Sequence, residues 1–190
     1  MAVIFIFIDG VGIGNKSNEN PFIIDSYRSF EILSGGNFTK NGKEIISSNQ
    51  IYKPIDANLE VEGLPQSGTG QTTLFSGVNA SKVIGKHFGP YPHSGIKHLL
   101  EETSIFSSLK EMGKKPYFLN AYPPIFFEHA MRRNRWSCTT LMTKNANITL
   151  NSTEEVRQQK ALTAEIVQNA WRERLDIDIP KITATEAANI

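Results

Sequence analysis

Asp9 and the segment from Gly63 to Gly77 carry the residue types best suited to chemistry. Asp9 closes the apolar run from Ala2 to Ile8 and opens a turn holding Gly10, Gly12 and Gly14. A carboxylate at the C-terminal end of a buried parallel strand points into the crevice where open α/β sheets bind ligands. The glycines behind it let the chain turn sharply and leave room for a ligand, which makes Asp9 a candidate metal ligand. Two other readings stand beside this one. An Asp there can simply cap the next turn. A dinucleotide loop fits less well, because the spacing is Gly-x-Gly-x-Gly and the preceding carboxylate would repel pyrophosphate.

Ser67 lies in Gly63-Leu-Pro-Gln-Ser-Gly-Thr-Gly-Gln-Thr-Thr-Leu-Phe-Ser-Gly77. Glycine and hydroxyl residues come first and apolar ones later, as where a loop feeds a helix. Backbone N–H groups and the helix dipole would face an anion at that junction. The same donors would stabilise charge developing as a serine attacks phosphorus. Gly68 and Gly70 keep side chains out of the approach. The plainer alternative is a Ser/Thr helix cap. A Walker A loop is excluded, since no Gly-Lys-Ser/Thr closes the segment.

Further candidates are substrate contacts. Lys86 and His87 sit in a glycine-rich loop beyond the expected nucleophile helix, where a plain solvated loop is the alternative. Arg132, Arg133 and Arg135 could clamp a phosphate bidentately, although basic clusters also serve as solvated faces. Phe126, Phe127 and Trp136 read as local packing, and Cys138 as a buried apolar residue.

These residues need elements to position them. The run Ala2–Ile8, rich in β-branched and aromatic residues, suits a strand buried on both faces, and Pro116–Leu119 a second one. Thr103–Met112 reads as a helix that Gly113 ends. A long helix is expected from Ser152, with Ser152 and Glu155 as a capping box and Arg172 and Arg174 in its last turn. Val156, Ala164, Val167, Ala170 and Trp171 would form its core face. Thr183 and Glu186 repeat the capping-box spacing close to Ile190. The fold class that follows is α/β, a mostly parallel sheet sandwiched by helices, with residues 1–190 expected to be the N-terminal part of one domain, incomplete at the C-terminus.

The 190 residues carry a formal charge of +1, with 39% apolar and 21% charged residues. That is normal for a globular domain and gives no electrostatic case for nucleic acid or membrane as partner. The start of the chain lacks the charged n-region of a signal peptide. A single cysteine excludes an internal disulfide and points to a cytoplasmic setting. The sequons at Asn37, Asn79, Asn147 and Asn151 carry little meaning without secretion.

Taken in order, these segments resemble the alkaline phosphatase superfamily of metalloenzymes. Strand-Asp-Gly stands at the start, and Ser67 lies before a helix closed by Gly77, as in its phosphatase and sulfatase members. Gly70 matches cofactor-independent phosphoglycerate mutase and phosphopentomutase. The text is similar to a mutase-like bacterial group in Asp56-Ala57-Asn58-Leu59, Gly63 to Thr72, Gly85 to Pro90, Asn120 to Pro124 and Arg135-Trp136-Ser137. The resemblance implies phosphoryl transfer on a small phosphorylated metabolite, as phosphatase or phosphomutase, through a Ser67 phosphoenzyme, with Thr69 as the rival nucleophile. It also implies two divalent metal ions (Zn, Mn or Mg), touched by Asp9 and Ser67. Paired ions about 4 Å apart can activate a nucleophile and neutralise phosphate oxygens.

The sequence departs from the family where the remaining ligands should be. No Asp…Gly-His or Asp-His-Gly segment occurs, and His87, His93, His98 and His129 belong to other parts of the pattern. Half of a bimetal site is therefore expected. The alternatives are an inactive fragment, an anion-binding protein, or association with a second half through the face it would leave open. A sulfatase and a nucleotide-binding oxidoreductase fit less well.

Overall fold

The structure is a computed structural model that describes residues 2–36 and 38–190; the sequon acceptor Asn37 lies outside them. The chain forms two compact units, residues 1–57 and residues 58–190.

In the first unit, Asn20 caps helix α1 (Pro21–Ile24) by accepting from the Phe22 N–H, and α2 (Arg28–Ser34) ends at the left-handed Gly35. Strands β1 (Ile45–Ile46) and β2 (Ile51–Tyr52) form an antiparallel hairpin in the register Ile45↔Tyr52 and Ile46↔Ile51. Gln50, in the hairpin turn, donates to the Leu33 carbonyl at 2.8 Å, tying the hairpin to the end of α2. Phe22, Phe30 and Phe38 pack with ring centroids 4.8–5.0 Å apart, and Phe38 reaches Tyr52 at 6.2 Å. These tilted and edge-on aromatic contacts form the centre of the unit.

The second unit is helical. It runs through α3 (Ser67–Ser76), α4 (Ala80–Ile84), a 3-10 turn at Ser94–Ile96, α5 (Lys97–Glu102) and α6 (Ile105–Glu111). There follow α7 (Pro124–Arg133), α8 (Cys138–Asn145), α9 (Thr153–Arg157), α10 (Asn169–Arg174) and α11 (Ala184–Ala187). Phe75 of α3, Leu100 of α5, and Cys138 and Met142 of α8 share one core cluster, with Ile105 and Phe106 of α6 against it. Ala121, Val156, Ala161, Trp171 and Ile179 form a second. Burial of each large apolar side chain contributes roughly 1.5–3 kcal/mol, so α3 is held from beneath by three other helices.

The parallel α/β sheet expected from the sequence is not formed. Among the described residues the only sheet is the antiparallel hairpin. Residues 2–8 form no strand, and Val3, Ile4 and Ile6 are 80%, 83% and 77% exposed. A parallel strand exists only where neighbouring strands take up its N–H and C=O groups and helices cover both faces. Residues 116–119 likewise form no strand. Parallel pairing appears there only as single bridges, Asn120↔Leu162 and Ala121↔Asn151, with a third at Gly14↔Thr39.

The long helix expected from Ser152 is also divided. Gln159, Ile166 and Gln168 take positive φ of 54°, 70° and 66°, and Leu162 turns aside to bond the Leu119 carbonyl at 3.0 Å. Ala164 is exposed rather than on a core face. Both capping boxes do form, at Ser152–Glu155 and Thr183–Glu186, and α6 falls inside the expected helix.

The first capping box has a pH signature. The Ser152 backbone N–H, and then its hydroxyl, donate to the Glu155 carboxylate and hold its pKa below the ordinary glutamate value. A depressed carboxyl pKa stabilises the fold above the unfolded pKa, and that contribution is lost as pH falls through the folded one. Glu155→Gln is therefore expected to lower stability at neutral pH by about 0.5 kcal/mol, solvent screening limiting the effect at so exposed a site. Denaturant titrations of both proteins should converge below the folded pKa of Glu155. Among the described residues no helix is long and apolar enough to cross a membrane.

Candidate functional site

Ser67 is the first residue of α3, and the N-cap residue before it, Gln66, is extended and makes no side-chain cap. The junction read from the sequence is thus present. What holds it is the following pair of residues. Gly68 is buried, and a Cβ there would lie 2.6 Å from the Phe88 carbonyl oxygen and press on the Tyr91 carbonyl as well. Only glycine lets the segment 88–91 pass this close to the helix start. Thr69 is fully buried; its N–H donates to the Phe88 carbonyl at 2.9 Å, and its hydroxyl accepts from the Phe88 N–H at 3.2 Å. Together they form a two-way clasp between α3 and the 88–91 segment.

Thr69 was the rival nucleophile, and its hydroxyl is committed to this clasp. Thr69→Val keeps the shape, strips the acceptor from the partly buried Phe88 N–H and is expected to cost about 1 kcal/mol in denaturant unfolding. From below, the Thr72 hydroxyl donates to the Gly68 carbonyl at 2.7 Å, and the Cys138 thiol donates to the same oxygen at 3.4 Å. Cys138 is buried, as expected from the sequence.

Beside the junction lies an open cleft of about 490 Å³, lined by Gln66, Lys86, His87 and Phe88 among others. Lys86 is exposed, with its ammonium 5.9 Å from the Phe88 ring centre. Glu62 also lines the cleft and opposes an anion there. His87 is held at both ring nitrogens, by Ser81 Oγ at 3.3 Å on Nδ1 and the Val61 carbonyl at 3.0 Å on Nε2. A carbonyl only accepts, so Nε2 carries a proton. His87 is therefore a strut between α4 and the 61–63 segment as well as part of the cleft wall.

The other candidates are dispersed. Asp9 is exposed, lies in the turn at residues 9–10 and belongs to the first unit, whereas Ser67 belongs to the second. Arg132 and Arg133 are exposed in the last turn of α7, where cations complement the helix dipole. Arg135 lies past the left-handed Asn134 that ends α7, its guanidinium 4.0 Å from the Tyr91 ring centre. Reading the sequence did not single out Tyr91 or Lys97, which line a cavity with Arg135. Neither stands in a motif, and only the return of the chain past α7 brings them together.

A metal pair needs ligands that converge, and among the described residues no group of three His, Cys, Asp or Glu side chains does so. The residues described do not fit the two ions that the family resemblance implies. Burial raises the pKa of the Tyr122 phenol, against weaker lowering by the Thr139 and Ser137 hydroxyls. The Tyr122 ring stacks on Phe126 at 4.1 Å.

No family model, curated protein or solved structure matches this chain.

Proposed function

We propose that this chain carries the nucleophile side of a phosphoryl-transfer site acting on a small phosphorylated metabolite. One observation carries the reading: Ser67 begins α3 on a loop whose next two residues are locked against the 88–91 segment. A nucleophile needs to be held near its attack position, and this clasp supplies such a hold.

In that chemistry Ser67 Oγ forms a bond to phosphorus while the ester P–O bond breaks. The serine proton leaves to water, the departing alkoxide takes up a proton, and phosphoserine passes its phosphoryl group to water or to a second hydroxyl. The first outcome is a phosphatase, the second a phosphomutase. The Lys86 ammonium on the cleft wall favours the phosphate dianion, with Glu62 on the same wall opposing it. Two divalent ions would neutralise phosphate oxygens in the family this sequence resembles, with Asp9 as one ligand. The described residues do not assemble that set, so no step is assigned to it.

That same observation favours a second reading, an anion-binding protein that holds a phosphate ester without turning it over. The two are separated by incubating the chain with a sugar phosphate, with and without Mn²⁺, quenching in acid and mapping phosphoserine by peptide mass spectrometry. Phosphate on Ser67, absent from Ser67→Ala, supports transfer. Ester binding without phosphoserine in either condition supports the second reading, and neither binding nor transfer removes both.

A further inference from the structure

A separate cavity of about 250 Å³ lies beside the 88–97 segment, on the side where Arg135 and Trp136 return past the end of α7. Its aromatic walls are Phe88, Tyr91 and Trp136, and its polar groups include His93, Lys97 and Arg135. No carboxylate is among its lining residues. Among the described residues neither Lys97 nor Arg135 has an acidic partner within ion-pair distance.

The walls are braced. Phe88 meets His93 edge-on at 4.9 Å, and Phe126 meets Trp136 edge-on at 6.2 Å. The Lys144 ammonium stands 4.3 Å from the Trp136 ring centre. His93 Nδ1 accepts from the Gly95 N–H at 3.1 Å, which leaves Nε2 as the N–H of the neutral ring. Arg135 has one face on Tyr91, and stacking leaves the in-plane N–H groups of a guanidinium able to meet an anion.

Arg135 on Tyr91 alone would be packing. The second unpaired cation, the missing carboxylate and the open volume between aromatic walls together call for an anionic ligand with a flat apolar body. Size narrows it further. Drug-sized pockets start at about 300 Å³, whereas about 150 Å³ suffices for benzene. The space beyond one ring matches one small anionic group.

We infer that this cavity binds a single-ring aromatic anion, its charge held by Lys97 and Arg135 and its ring by Phe88, Tyr91 and Trp136. The site does not depend on Ser67 or on the phosphoryl-transfer reading.

Isothermal titration of the full chain with phenyl phosphate, benzoate, phenol and inorganic phosphate tests this. Phenyl phosphate should bind at least about tenfold more tightly than phenol or inorganic phosphate, a 1.4 kcal/mol gap. Benzoate binding as tightly would make the charge, rather than the phosphate, the recognised feature, as inferred. Arg135→Ala and Lys97→Ala should each weaken phenyl phosphate binding about tenfold, with Arg135→Lys in between because it keeps charge and loses the stack. Ser67→Ala should bind within about twofold of wild type, by the same conversion. Lys97 is exposed at the start of α5, so its variant tests the inference even if Arg135→Ala does not fold. Unchanged binding in the Lys97 variant, equal affinity for phenyl phosphate and inorganic phosphate, no phenyl phosphate binding, or its loss in Ser67→Ala would each overturn the inference.

Discussion

Gly68→Ala is expected to destabilise residues 58–190 by about 3 kcal/mol or more, enough to remove a large part of a typical domain's stability. Helix propensity argues the other way, since alanine is favoured over glycine in a helix by about 1 kcal/mol. Contact geometry decides the sign. The new methyl would meet the carbonyls of Phe88 and Tyr91, which are backbone atoms and cannot rotate away. Relief would require the 88–91 segment to retreat, breaking the Thr69 N–H bond to the Phe88 carbonyl and the return bond to the Thr69 hydroxyl. Leaving such buried groups unpaired costs about 1–3 kcal/mol each. Gly70 provides the control. It lies in the same helix with nothing within 4 Å of an added Cβ, so Gly70→Ala should be neutral or stabilising by up to about 1 kcal/mol. Denaturant unfolding followed by tryptophan fluorescence reads this unit, because both Trp136 and Trp171 lie in it. Equal midpoints for the two variants would refute the packing argument.

If the proposed transfer takes place, Ser67→Ala should reduce it by about 10⁴-fold or more, the scale on which loss of a serine nucleophile is felt. The substitution removes one oxygen and leaves the clasp at Gly68 and Thr69 as it is, so substrate binding should change far less than turnover. A loss in kcat with KM nearly held would mark Ser67 as the attacking group. Thr69→Val makes the complementary case. If Thr69 were the nucleophile, its variant would be the dead one and Ser67→Ala would keep its phosphoenzyme. The measured pair is turnover of a phosphate ester together with recovery of phosphoserine or phosphothreonine, each in both variants.

Local signals in the sequence were reliable where local forces decide. Ser152 with Glu155 and Thr183 with Glu186 form capping boxes because each pair is separated by only two residues. The helix at Ile105–Glu111 and the loop-to-helix junction at Ser67 are local in the same sense. The apolar run at residues 2–8 was misleading for a physical reason. β-branched and aromatic residues state a preference for a strand, but a strand forms only when another chain segment accepts its hydrogen bonds. The helix expected from Ser152 failed likewise, since its periodicity could not foretell that Leu162 bonds to Leu119 and interrupts it. At the candidate sites the start of a helix at Ser67 was legible from its glycines. The meeting of Arg135 with Tyr91 was not, because chain return rather than a motif creates it.

The Cys138 thiol beneath Gly68 makes the molecule its own clock. With one cysteine in the chain, and that one buried against α3, a thiol reagent can react only when the contact between α3 and α8 opens. The labelling rate then counts how often the floor of the serine loop lifts, with no added probe. A ligand that prefers the closed loop will slow that count in proportion to its occupancy, so affinity at the serine site can be read in time rather than in heat or turnover.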